Sequence, residues 1–233
     1  MADFAHSIFP MPNRQVSYAR DAEAHLRAND PILARIIAEV GPLIITRRSE
    51  RFQALARTII FQQLAGAAAT AIYNRMLALY PGTKFPSAEQ ILATPDEDLR
   101  KAGLSAKKAL YIKDLAGHIR DGTLNFHRFH RMTDDEIIVD LTRVKGIGRW
   151  TAEIFLMFNL GRPDVLPADD LGVQTAVKRA YRMRERPSRK RLTKFGKRWS
   201  PYRTAAAWYL WRSLDIKLPD DAAKAPAKSG KKK

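Results

Sequence analysis

Five times between residues 29 and 136 the chain spells out the start of a helix. Asn29-Asp30-Pro31 offers a capping side chain followed by proline, whose missing N–H is no loss in a first turn. Ser87 with Gln90, Thr94-Pro95-Asp96-Glu97, and Thr133 with Glu136 have the spacing of a capping box. In that motif the cap and the third helical residue satisfy each other's amides. Ser105 opens a further helix carrying Leu110, Ile112, Leu115 and Ile119. Phe52, Leu55, Ile59, Ile60, Leu64, Ala67, Ala68, Ala71 and Ile72 recur at helical spacing, which predicts one long buried helix kinked near Gly66. Gly41-Pro42 closes an early helix, and further helices are expected at about 149–160, 170–183 and 201–215. Strand patterns are nearly absent, so the expected fold is all-α, with short to medium helices and compact loops.

The 233 residues suffice for one large domain or two small ones, and 45% hydrophobic content supplies a normal core. No apolar run approaches the ~20 residues of a membrane helix. The first residues carry no basic stretch followed by an apolar one, so no secretory leader is read. The absence of cysteine excludes disulfides, cysteine-held iron–sulfur clusters and cysteine zinc sites. His127 and His130 lack a partner in a ligating pattern, and no metal or cofactor is expected. Lysine and arginine number 41 against 24 acids, a formal charge of +17. Such an imbalance speaks about partners rather than fold, and it points to a polyanion. The stretch 182–198 is strongly basic, and 218–233 reads as a disordered basic tail.

Two features of 144–177 carry chemistry. Gly146-Ile147-Gly148 lies between two helical patterns, flanked by Lys145 and Arg149. Glycines there permit positive φ and close approach, and amides at the next helix start can hold a phosphate oxygen. Ile147 is expected to plug the core. The same turn also suits a plain tight connection between helices. Asp169-Asp170 precedes another helix, where an aspartate serves as an N-cap. Two aspartates compete for one cap, so one can cap while the other faces a site.

Tryptophan follows the glycine turn at Trp150, and Trp208 and Trp211 share a face farther on. With these aromatics the chain resembles the helix-hairpin-helix DNA glycosylases, and among them the DNA-3-methyladenine glycosylase II type in a short form without the N-terminal β domain. The matching pieces are ARTIIFQQLAGAAA (56–69), LRKAGLSAKKALYIKDLA (99–116), VKGIGRWTAEIFLMF (144–158), LPADDLGVQ (166–174) and WSPYRTAAAWYLW (199–211).

The resemblance implies two helical subdomains with an active-site cleft between them. It implies an N-terminal arm over 1–29, a glycosylase domain over 30–217 and the tail beyond. It places the catalytic aspartate at Asp170 and the base pocket at Trp150, Trp211 and Ile154, the last replacing a frequent aromatic. It assigns DNA binding to the hairpin Gly146, Ile147 and Gly148, where the flanking Lys145 and Arg149 add positive charge. The element that fills the gap of a flipped nucleotide falls on Gln62, Gln63 and Leu64. Lyase relatives carry a lysine where this chain has Trp150, so base removal without strand cutting is implied. The expected function is hydrolysis of the N-glycosidic bond of alkylated purines in base excision repair. A non-catalytic helix-hairpin-helix DNA-binding module is the alternative. The expected partner is double-stranded DNA, with the chain acting as a monomer, away from membranes, in cytoplasm or nucleus.

Overall fold

The computed structural model describes residues 14–47 and 50–216. In chain order the helices are α1 (Ala19–Asn29), α2 (Pro31–Val40), α3 (Arg51–Phe61), α4 (Gly66–Ala78), α5 (Ala88–Ala93) and α6 (Asp96–Lys101). They continue with α7 (Ala106–Arg120), α8 (Asp134–Thr142), α9 (Arg149–Phe155), α10 (Leu171–Ala180), α11 (Arg189–Phe195) and α12 (Arg203–Ser213). Two-residue strands β1 (Arg14–Gln15) and β2 (Thr46–Arg47) pair antiparallel, with Arg14 opposite Arg47 and Gln15 opposite Thr46. The architecture is therefore helical, as the sequence predicts. The expected tail at 218–233, and the expected arm as far as residue 13, lie outside the described residues.

The described chain divides into two compact units. The central unit comprises 14–16 and 45–165; the terminal unit joins 17–44 to 166–216. In the central unit α7 packs against α3, α5 and α6, burying Ala109, Ile112, Leu115 and Ala116. Both predicted capping boxes at Ser87/Gln90 and Thr133/Glu136 are formed, each worth about 1 kcal/mol per cap. The third is not. Thr94 turns its hydroxyl back to the Gln90 carbonyl at 2.7 Å and meets the Tyr80 hydroxyl at 2.7 Å. Pro95 takes the cap position without a side-chain bond, and Asp96, Glu97 and Asp98 offset the dipole of α6 instead.

The long helix predicted over 52–72 is two helices. α3 stops at Phe61, and Gln63 adopts a positive φ of 57° before α4 begins at Gly66. The apolar period runs across the break because both helices bury a face, so periodicity alone cannot register the turn.

The terminal unit is organised around α12, whose residues from Thr204 to Leu210 are all buried. Ala205, Ala206 and Ala207 leave room for α1, α2 and α10 to pack against it. Asp30 holds this unit's corners together. Its Oδ1 accepts the Ile32 and Leu33 amides at 3.0 and 3.2 Å, capping α2. Its Oδ2 accepts the Tyr181 hydroxyl at 2.6 Å and the Trp199 indole N–H at 2.9 Å. A carboxylate only 2% exposed is tolerable because four donors replace its lost water. Burial first, and then the bond to Asp30, push the Tyr181 phenol well above its ordinary pKa.

Candidate active site

In the terminal unit the aspartate pair separates into two roles. Asp169 is exposed and meets Arg189 at 3.3 Å. Asp170 is 8% exposed and is itself the N-cap of α10. Its Oδ1 accepts the Val173 amide at 2.7 Å and the Trp211 indole N–H at 2.8 Å. Capping and candidate catalysis thus fall on one residue rather than on two. Donors from two directions fix the orientation of the carboxylate, since rotation about either side-chain bond breaks at least one of them.

This arrangement depends on Gly172. A Cβ there would sit 2.9 Å from Asp170 Oδ1 and 3.0 Å from Trp211 Cδ1 and Nε1. Any other residue has to push the indole or the carboxylate aside. Gln174 secures the approach to the cap by donating to the Ala168 carbonyl at 2.8 Å.

In the central unit the glycine turn joins α8 to α9 as predicted, and Ile147 is buried at 4% exposure. The two glycines differ. Gly146 has φ +83°, and a Cβ would come within 2.2 Å of the Tyr111 ring. Gly148 has an ordinary φ of −88°, and a Cβ would meet nothing within 4 Å. The positive φ that glycine permits is therefore used only at Gly146. Gly148 is instead the N-cap of α9, with no side chain capping the helix. An open, uncapped helix start of this kind suits an anion.

The two flanking cations are engaged. Lys145 is tied twice to Asp114, by its backbone amide at 2.8 Å and its ammonium at 3.2 Å. Arg149 pairs with Glu153 at 3.0 Å and Asp135 at 3.5 Å. Their side chains nevertheless remain 60% and 43% exposed. Trp150 and Ile154, four apart on α9, are both half-buried and share a helix face.

The segment Gln62–Leu64 leads from α3 into α4. Gln62 donates to the Gly146 carbonyl at 2.8 Å, which fastens this segment to the glycine turn. Gln63 is exposed, while Leu64 is half-buried. Lys108 reaches in from α7 and donates to the Ile60 and Gln62 carbonyls at 2.6 and 2.7 Å. Burial lowers the pKa of this ammonium. Lys108, Asp114 and Gly172 escaped sequence reasoning, because each acts on a partner visible only in the fold or, for Gly172, through space that must stay empty.

Among the described residues no three His, Cys, Asp or Glu side chains gather as a metal site. No helix among them is long and apolar enough to cross a membrane.

The chain has parallels in sequence and in fold. The chain is 36% identical over 199 residues to DNA-3-methyladenine glycosylase 1 of Schizosaccharomyces pombe, covering 84% of this chain and 87% of that one. A solved structure of a 3-methyladenine DNA glycosylase from that organism, in complex with abasic DNA, matches with a TM-score of 0.75 and 34% identity, covering 84% of this chain and 97% of the other. A DNA-3-methyladenine glycosidase from Bacillus halodurans matches with a TM-score of 0.79 and 36% identity, over 91% and 95% of the two chains. Residues 56–201, more than half the chain, match the family described as HhH-GPD superfamily base excision DNA repair protein. The glycine turn, the tryptophan after it and the capping Asp170 all lie within that match, and the chain belongs to the HhH-GPD superfamily of base excision DNA repair proteins.

Proposed function

We propose that this chain is a monofunctional DNA glycosylase that hydrolyses the N-glycosidic bond of alkylated purines of the 3-methyladenine and 7-methylguanine class. One observation carries the reading: Asp170, buried at a helix start, has one oxygen held by both the Val173 amide and the Trp211 indole. A structural cap needs only the first of these donors. The second, from a half-buried aromatic ring, aligns a fixed negative charge with a surface on which a base can stack.

Alkylation at N3 or N7 leaves the purine cationic, and such a ring gains ~0.5–2 kcal/mol against an indole face. It is already a good leaving group, so a strong general acid is unnecessary. As the C1′–N bond breaks, its electron pair leaves with the base, which loses its positive charge. The sugar acquires oxocarbenium character, and the Asp170 carboxylate stabilises it electrostatically. Water adds its oxygen to C1′ and releases a proton, which the carboxylate accepts. The nucleotide must leave the base stack for this chemistry to reach it. The exposed Gln63, on a segment fastened by Gln62 and Lys108, is suited to occupy the vacated space. Trp150 offers no amine for a Schiff base, which supports hydrolysis without strand cleavage.

The test is incubation of the protein and its Asp170→Asn variant with dimethyl sulfate-treated duplex DNA, with chromatography of released bases. The wild type is expected to release methylated purines and to form no borohydride-trapped adduct. The variant is expected to bind DNA without releasing base. Near-normal release by the variant overturns the assignment of Asp170. DNA binding with no release by the wild type supports the non-catalytic module.

A further inference from the structure

The basic stretch 182–198 is a folded surface, and its construction asks for an explanation. It carries nine lysines and arginines against one acid, Glu185. All nine are exposed, and so is Glu185. The segment is stapled at both ends to one buried carboxylate: Tyr181, just before it, and Trp199, just after it, both donate to Asp30 Oδ2. Phe195 on α11 packs edge-on against Tyr181 and Trp199, with ring centroids 4.7 and 5.5 Å away. Pro187 and Leu192 turn inward and are buried. The excursion therefore leaves and returns at one anchored point, with its apolar side chains inside and its cations outside.

This surface is joined in two places to the loop that carries Asp170. Arg189 pairs with Asp169 at 3.3 Å. Gly196 lies so close to Leu166 that a Cβ would come within 2.5 Å of its Cδ2. The basic surface thus begins beside the candidate catalytic residue and extends away from it within the same unit.

On α11 the cost of this arrangement is visible. Lys190 and Lys194 stand four apart on one helix face, a like-charge spacing that destabilises an isolated helix. Repulsion of that kind is relieved by an opposing polyanion. No large apolar side chain is exposed in the segment, which leaves a membrane surface nothing to take up.

We infer that residues 182–198 form a second DNA-binding surface, which grips backbone phosphates of the duplex beside the lesion independently of the glycine turn. The inference rests on the glycosylase reading for its choice of polyanion. Phosphate recognition of this type carries no sequence information and sets affinity and salt dependence.

The experiment compares the wild type with a variant carrying Arg184→Gln, Arg186→Gln, Lys190→Gln and Lys194→Gln. A control variant removes the same charge from the central unit through Lys84→Gln, Arg100→Gln, Lys101→Gln and Arg120→Gln, all exposed positions. Fluorescence anisotropy with an undamaged labelled duplex is recorded over a salt series, and thermal melting confirms folding. For the first variant the slope of log K against log salt is expected to become shallower by about 2 to 4, near 0.9 for each phosphate that is no longer neutralised. The control is expected to keep the wild-type slope. An unchanged slope in the first variant, or an equal change in the control, overturns the inference. So does a loss seen with RNA of the same sequence and not with duplex DNA. Release of methylated bases by the wild type is measured separately. Release with an unchanged slope sinks only this surface, whereas a shallower slope without release sinks only the glycosylase reading.

Discussion

Trp211 donates its indole N–H to Oδ1 of Asp170 at 2.8 Å, the same oxygen that caps α10. The tryptophan thereby acts on the carboxylate, and the proposed function also gives it a stacking face; the two roles separate by mutation. Trp211→Phe keeps an aromatic ring and removes the donor. A hydrogen bond to a charged group is worth about 1.5–3 kcal/mol, so single-turnover excision should slow by roughly 10- to 150-fold. Binding of undamaged DNA should change little. Equal losses in rate and in affinity would mean that the donor has no part in the chemical step.

Gly172→Ala tests the same hydrogen bond without touching either partner. Alanine favours the helix by about 1 kcal/mol over glycine, which offsets part of the crowding. Its Cβ nevertheless falls 2.9 Å from the carboxylate oxygen and 3.0 Å from the indole. Excision should drop by about tenfold or more, equivalent to about 1.4 kcal/mol, while the melting temperature moves by only a few degrees. A fully active variant would show that the indole need not approach so closely.

The two glycines of the turn should respond differently. Gly146→Ala places a Cβ at positive φ and within 2.2 Å of the Tyr111 ring, so a stability loss of about 2–4 kcal/mol is expected in urea unfolding. Gly148→Ala has space and an ordinary backbone, and should lose no more than about 1 kcal/mol as a poorer cap. Its effect should appear as weaker binding to all DNA sequences alike. Wild-type DNA affinity in a stable Gly148→Ala protein would remove the helix start from the phosphate-binding groups.

Lys108→Met retains an apolar stem and deletes the ammonium that bonds the Ile60 and Gln62 carbonyls. Leaving these acceptors without their donor should cost about 1–3 kcal/mol. Faster hydrogen exchange confined to the end of α3 and residues 62–65 is the expected signature. Uniform destabilisation, with no local change, would argue against Lys108 as the clamp of that segment.

Alkaline pH should weaken the fold through its buried phenols. Tyr181 is raised above the ordinary tyrosine value by burial and by Asp30, and burial raises Tyr18 and Tyr209 as well. The folded state holds these protons more tightly than the unfolded chain does. Their contribution is complete below pH about 10 and is lost as pH rises towards the folded values. Tyr181→Phe should lower stability at pH 8 by about 1.5–3 kcal/mol, through loss of the bond to Asp30. It should also flatten the decline above pH 10. Parallel pH curves for variant and wild type would contradict this account.

Caps at Asp30, Ser87, Ser105 and Thr133 are legible in the sequence because a side chain and the amides it holds lie within three residues. The glycine turn and its buried Ile147 are local in the same sense. Legibility fails where a distant group competes. Thr94 has cap chemistry, yet Tyr80 and the preceding turn take its hydroxyl. The break at Gln63 hides inside an unbroken apolar period, and its clamp, Lys108, lies 46 residues from the Gln62 carbonyl it holds. The Asp169-Asp170 pair reads as an ambiguity that no local rule resolves, since either residue suits a helix start. Folding resolves it by bringing Trp211, 41 residues away, onto Asp170 while Arg189 draws Asp169 outward. Sequence order thus carries the helices, the turn and the overall charge, because those depend on near neighbours and composition. Which carboxylate is held, and by what, depends on packing that brings remote side chains within 3 Å across space that Gly172 leaves open.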